Sequence, residues 1–205
     1  MGDIAFGAVV LVIFLALVAG AGVLLYRFKY ARYRRDWAPL VPVISGRVRG
    51  DGGGAARSWL RGAYRGHEVE ASMAPQAGAV GGVGSVTTGI AHNAFEIMLG
   101  DGPGRHGWRL LGPRPGADTW QLEADDESLR QRLQDSDLIA AVGALGWPSQ
   151  AVTAVGLPVL RFDPGHRLLH YREDAGPVTV PSAQRFQQEL DTLVEVAALN
   201  ATVNT

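Results

Sequence analysis

Hydrophobic and polar positions divide the chain after Tyr26. From Ile4 to Tyr26 only apolar residues and glycine occur, and no charge lies between Asp3 and Arg27. A helix rises about 1.5 Å per residue, so the run reaches roughly 35 Å and crosses a hydrocarbon core of about 30 Å with some tilt. A buried helix of a globular domain keeps a polar stripe, and this stretch has none. The pattern predicts residues 1–3 as a short N-terminus and 4–26 as a single transmembrane helix.

Beyond the span the apolar period shortens to two. Residues 27–43 read as a basic juxtamembrane segment and a stiff linker containing Pro39 and Pro42, and 44–205 as a soluble domain. Val43–Arg49 alternates well enough for a first strand. Arg57, Trp59, Arg61 and Ala63 then share one strand face, while Leu60 and Tyr64 share the other. A turn at Arg65-Gly66 predicts a hairpin with Tyr64 opposite His67, Arg61 opposite Glu70 and Leu60 opposite Ala71. Residues 74–91 hold five glycines and little that packs, and read as a mobile loop. Phe95, Ile97 and Leu99 give a third strand, with short strands at Trp108–Leu111 and Thr119–Leu122.

A helical period begins at Asp125. Asp125, Asp126 and Glu127 suit a helix N-terminus, and Leu129 and Leu133 follow at i, i+4. Ser136 or Asp137 caps a second turn sequence through Leu138, Ile139, Val142 and Leu145. Leu157–Phe162 and Arg167–Arg172 form a hairpin around Asp163-Pro164-Gly165. From Pro181-Ser182 onward Phe186, Leu190, Leu193, Val194 and Ala197 make one face of a long helix, with Gln187, Gln188, Glu189, Asp191 and Glu195 largely elsewhere. The fold class expected is α+β: a mainly antiparallel sheet covered by two helical regions, the longer one C-terminal.

Charge orients the span. Arg27, Lys29, Arg32, Arg34 and Arg35 follow it, and no cation precedes it. Basic residues beside a span stay cytoplasmic, which puts the N-terminus out and the domain in the cytoplasm. Tyr30, Tyr33 and Trp37 complete an expected membrane-interface set with those cations. A cleaved signal peptide ending at Ala19-Gly20-Ala21 fits worse, because its n-region is acidic and the apolar run continues past the site. Residues 1–36 hold 5 basic and 2 acidic side chains, leaving 14 against 18 and a net of −4 for the remainder. A mildly acidic domain is a poor nucleic-acid binder.

Candidate chemistry is thin. With no cysteine, thiolate metal sites, disulfides and Cys nucleophiles are excluded. Gly82-Val83-Gly84 with Gly89 departs from the dinucleotide fingerprint and precedes a strand. His67, His92, His106, His166 and His170 do not converge by spacing, so no metal or other cofactor is expected. Ser85, Thr87 and Thr88 lie near His92, yet no nucleophile elbow surrounds them and no acid is placed to orient the histidine. What remains is a patch of Arg47, Arg49, Arg57, Trp59 and Arg61, suited to anionic lipid heads, RNA phosphate or an acidic partner.

The chain therefore reads as a single-pass, signal-anchored accessory or scaffolding protein. It is expected to be non-catalytic, presenting its domain to a membrane-protein complex, with membrane lipids as further partners. Gly7, Ala8, Ala16, Ala19, Gly20, Ala21 and Gly22 would let another helix approach closely. The alternative is a membrane-tethered domain binding a lipid or small ligand under the Gly-rich loop. A hydrolase using Ser85 or Thr87 ranks third.

Overall fold

The structure, a computed structural model, describes residues 2–50, 58–75, 93–100, 102, 104–112, 120–143, 159–174 and 180–204. It falls into two compact units, residues 1–36 and 37–205. The first is the helix α1 (Gly2–Trp37) up to its last residue, with Arg34 and Arg35 in the final turn. Its described large apolar side chains, from Leu11 to Phe28, are 54–67% exposed. Among the described residues no helix is long and apolar enough to cross a membrane. Within α1 those residues exclude the side chains at 2–10, 12, 25–26, 29–30 and 32–33.

The second unit is an α+β domain. Its strands are β1 (Arg47–Gly50), β2 (Ser58–Tyr64), β3 (His67–Pro75), β4 (Asn93–Leu99), β5 (Trp108–Leu111), β6 (Gln121–Ala124), β7 (Val159–Asp163) and β8 (Leu168–Asp174). They form one eight-stranded sheet in the order β1-β2-β3-β4-β8-β7-β5-β6, every pairing antiparallel. The β7–β8 hairpin slips between β4 and β5, so two strands consecutive in sequence are separated in space. The β2–β3 hairpin has the expected register, Tyr64 facing His67, Arg61 facing Glu70 and Leu60 facing Ala71. Arg65 and Gly66 both take positive φ, 47° and 88°, as a two-residue type I′ connection requires.

One face of the sheet is apolar across its whole width. Val48, Leu60, Ala71, Ile97, Tyr171, Leu160, Leu110 and Leu122 align in a single row, one from each strand. The helices α2 (Glu127–Gln134), α3 (Leu138–Gly143) and α4 (Ala183–Val203) complete the domain. Asp126 caps α2 by accepting from the Leu129 N–H, and Ser182 caps α4 by accepting from the Arg185 N–H. From α4, Phe186, Leu190, Leu193, Val196 and Ala197 are buried. Phe186 meets Phe95 edge-on at 6.1 Å, and α2 and α3 pack on α4.

Several boundaries differ from the sequence reading. The first strand starts at Arg47 rather than Val43, because residues 41–45 are turns. Leu40 N–H bonds Trp37 O at 2.9 Å, Val43 N–H bonds Leu40 O at 3.1 Å, and Gly46 N–H bonds Val41 O at 3.0 Å. Trp37, Leu40 and Ile44 have no exposed surface, so this segment forms part of the core where a linker was expected. Ile44 O also accepts from Ala63 N–H at 2.8 Å, and a Cβ on Gly62 would lie 2.3 Å from that oxygen. Glycine is required there because another backbone crosses the strand closely. Ala74 and Pro75 belong to β3 rather than to the Gly-rich loop, whose residues 76–91 lie outside the described residues. The sixth strand sits at Gln121–Ala124 rather than Thr119–Leu122, its register set by Leu110 facing Leu122.

Candidate functional site

Successive residues on a strand point to opposite faces. The row beside the apolar one is therefore Arg47, Arg61, Glu70, Met98, His170, Arg161, Arg109 and Glu123, on the face away from the helices. A parallel row places Arg49 opposite Trp59 and Trp59 opposite Ser72. Register thus brings Arg47, Trp59 and Arg61 to one corner of this face, with Arg49 at the register position opposite Trp59. Arg47 and Arg61 are exposed and Trp59 is half-buried, while Arg57 lies outside the described residues. Arg61 pairs with Glu70, Nη2 to Oε2 at 2.8 Å.

Of the residues expected at a membrane interface, Arg27, Arg34 and Arg35 are exposed on α1. Lys29, Tyr30, Arg32 and Tyr33 belong to the same helix, their side chains outside the description. Trp37 departs from the expectation: it is fully buried, its ring 6.3 Å from Phe95. The apolar spacing Trp37, Leu40, Ile44 pulls it into the core of the domain.

Midway along the charged row, Arg161 Nε donates to His170 Nδ1 at 3.0 Å. The neutral ring then carries its proton on Nε2, which has no hydrogen-bond partner and lies 3.9 Å from Glu96 Oε2. Burial, and then the Arg161 charge, hold the His170 pKa below its ordinary value. Further along the row Arg109 faces Arg161, in an open cleft of about 480 Å³ that also contains Glu123, Asp125 and Asp163. Its charges are mostly engaged. Arg109 pairs with Glu123, Asp125 accepts from the Gly107 N–H at 2.9 Å, and Asp163 accepts from the Gly165 N–H at 2.9 Å. Asp163 also meets His166 Nδ1 at 2.9 Å, and that hydrogen bond lowers its pKa.

A second ionic group lies under α4, and sequence reasoning missed it. Arg185 donates to Glu189 Oε1 at 2.8 Å and to Glu173 Oε2 at 2.6 Å, and Tyr171 Oη donates to the same Glu173 oxygen at 2.8 Å. Glu189 is 1% exposed, and its Oε2 has no hydrogen-bond partner. Burial, reinforced by the Glu173 charge, pushes its pKa up to about 8, and Arg185 only partly offsets this. The Tyr171 phenol is pushed well above its ordinary range by the same burial. The signal was present in the spacing, since Glu189 falls three residues after Phe186 and four before Leu193, inside the apolar stripe.

The C-terminal turn makes a third polar group. Asn204 Oδ1 accepts from the Arg105 and His106 N–H groups at 3.2 and 3.1 Å, and its Nδ2 donates to His106 O at 2.8 Å and to Asn200 Oδ1 at 3.0 Å. Trp108 Nε1 donates to that Asn200 oxygen at 2.8 Å. These bonds fix the approach to β5 and give the group a structural role. Among the described residues no three His, Asp or Glu side chains are placed to hold a metal ion. Ser85, Thr87, Thr88, His92 and the glycines at 82, 84 and 89 lie outside the described residues. No family model matches the chain, and neither does any curated protein or solved structure.

Proposed function

We propose that the chain is a membrane-anchored accessory protein, held by α1 and presenting its α+β domain on the cytoplasmic side to a membrane-protein complex. The observation that carries this reading is the uncharged run Ile4–Tyr26, 23 residues in one continuous helix and followed by Arg27, Lys29, Arg32, Arg34 and Arg35. The described side chains of α1 fall short of a span by themselves; the apolar residues at 4–10, 12 and 25–26 extend the run to a bilayer's thickness.

The described ionic groups take part in strand pairing, helix docking and turn capping. The alternative, a tethered lipid or small-ligand binder, calls for an apolar pocket between sheet and α4. Side chains buried on both sides of that layer, Ile97, Phe95 and Tyr171 against Phe186, Leu190 and Leu193, favour the accessory reading instead.

Membranes carrying the full chain test both parts. The protein is expected to stay in the pellet through high-salt and alkaline carbonate washes, and then to migrate above its monomer mass on native gels after mild detergent extraction. Release into the wash would remove the anchor. Migration as a monomer in every mild detergent would remove the accessory role.

A further inference from the structure

We propose that β6, one edge of the sheet, pairs antiparallel with β6 of a second copy of this chain, joining two domains into one continuous sheet about a two-fold axis at Leu122. The inference lies wholly within the α+β domain and does not rest on the membrane-anchor reading.

Unpaired backbone is the first argument. β1 and β6 end the sheet, and among the described residues the backbone of β6 has no partner strand other than β5. An unpaired edge is a template for another strand unless charge, proline or a bulge blunts it. β6 has no proline and no positive φ, and its single charge, Glu123, is already paired with Arg109. The apolar row also ends here, on a Leu122 that is only half-buried between exposed Gln121 and Glu123.

Self-complementarity is the second argument, and it selects the partner. With Leu122 opposite its own symmetry mate, Gln121 faces the partner's Glu123, and Trp120, just before the strand, faces the partner's Ala124. By alternation Trp120, Leu122 and Ala124 share the helix side, where a bulky ring meets a small side chain. On the charged side an amide donates to each carboxylate. The row then continues Arg109, Glu123 and the partner's Gln121, with no like charges opposite at the junction. Other registers lose this match. A shift of one sets Leu122 against Glu123 or Gln121, and a shift of two sets Glu123 against itself or carries it past the end of the partner's strand.

The opposite edge supplies the contrast. On β1, Val48 opposite itself would set Arg47 against the partner's Arg49 twice over, and charged side chains are a common guard on edge strands. Only β6 is therefore self-complementary. Its contact is isologous, as a two-fold dimer requires, and it keeps the helix layers of both copies on one side of the joined sheet. The 4 residues of β6 are fewer than the roughly 20–30 a side of a standard interface, so the dimer forms reversibly and depends on concentration.

The absence of native cysteine makes the test direct. Full-length protein in mild detergent, bearing one cysteine at a time, is oxidised with copper–phenanthroline over a range of protein concentrations. Leu122→Cys should give a disulfide dimer, because directly opposite Cα atoms lie about 4.5–5.5 Å apart, within disulfide reach. Gln121→Cys and Glu123→Cys should each crosslink poorly alone, their symmetry mates being about 7–8 Å away on the diagonal, yet readily when mixed. Both positions are exposed, so the mixture reads the pairing even where Leu122→Cys loosens the fold. Gln188→Cys, exposed on α4, sets the rate of random collision. In the Leu122→Cys protein, Gln121→Glu sets carboxylates opposite one another and should weaken association by about 2- to 30-fold, while Gln121→Lys should strengthen it. Crosslinking at 122 and in the mixture no faster than at 188 would overturn the inference, including in favour of a different protein on this edge. So would position 121 or 123 alone matching the mixture, or indifference to both substitutions at 121. None of these outcomes touches the anchor, which is read from the carbonate wash.

Discussion

The two faces of the sheet are built from alternate residues of the same strands, yet they have opposite chemistry. Toward the helices runs an unbroken apolar row in which Leu60, Ala71, Ile97, Leu160 and Leu110 are completely buried. One residue along each strand, the other face carries Arg47, Arg61, Glu70, His170, Arg161, Arg109 and Glu123. A register slip of one residue would exchange them, so the covered face fixes the pairing for both. Stability therefore resides on one side, leaving the other free to be selected for recognition. The second face is not uniformly bare: Ser72 and Ala94 are buried there, and the Glu96 and His170 side chains are only 14% and 15% exposed.

The sharpest way to break this contrast is to hollow the covered face. Ile97→Ala is expected to cost about 2–5 kcal/mol, through lost burial and the cavity left at the centre of the row. Urea unfolding in mild detergent measures it, and a loss below about 1 kcal/mol would mean that the row is not the core.

Glu189 comes next, as the polar exception on the covered side. Its folded pKa is raised from 4.5 to about 8, so between those values the native state holds a proton that the unfolded chain has released. Stability should then fall as pH rises across that window, with a limiting slope of about 1.4 kcal/mol per pH unit, and level off above it. Glu189→Gln should flatten the profile. Unfolding free energies from pH 5 to pH 8, compared between the two proteins, decide the matter. His170 has the opposite sign: its depressed pKa predicts stability lost as pH falls through its unfolded value near 6.5, readable by NMR titration of the ring.

Removal of the Asn204 side chain tests whether the covered face needs its polar stitch. Asn204→Ala leaves the His106 N–H without its side-chain acceptor and the Arg105 N–H with only the Asn204 carbonyl at 3.3 Å, and should cost about 1–3 kcal/mol. The smallest effect belongs to the open face. Arg61→Ala removes an exposed cross-strand pair worth about 0.2–1 kcal/mol, and added salt should shrink the difference. If Arg61 proved as costly as Ile97, the division of labour between the faces would be wrong.

Local chemistry was readable from the sequence wherever a turn or cap fixes it. Arg65-Gly66 specified the β2–β3 register to the residue, Asp126 and Ser182 marked two helix starts, and the alternation from Trp59 to Met73 put Arg61 and Glu70 on one face. Strand order was not readable, because inserting β7–β8 between β4 and β5 depends on contacts far apart in sequence. Pro39 and Pro42 disguised the entry segment as a linker, while the spacing of Trp37, Leu40 and Ile44 carried the opposite message. Glu189 was misplaced because its charge outweighed its position in the stripe. A carboxylate enters such a stripe only when a partner such as Arg185 stands one turn away.

The inserted hairpin also bears on how the chain is made. β4 leaves the ribosome roughly 70 residues before β8, its neighbour in the finished sheet. At about 5–20 residues per second, the edge carrying Phe95, Ile97 and Leu99 waits about 4 to 14 s for its partner. Throughout that interval the nascent protein exposes an incomplete sheet, and α4, which seals the layer, is translated after all eight strands.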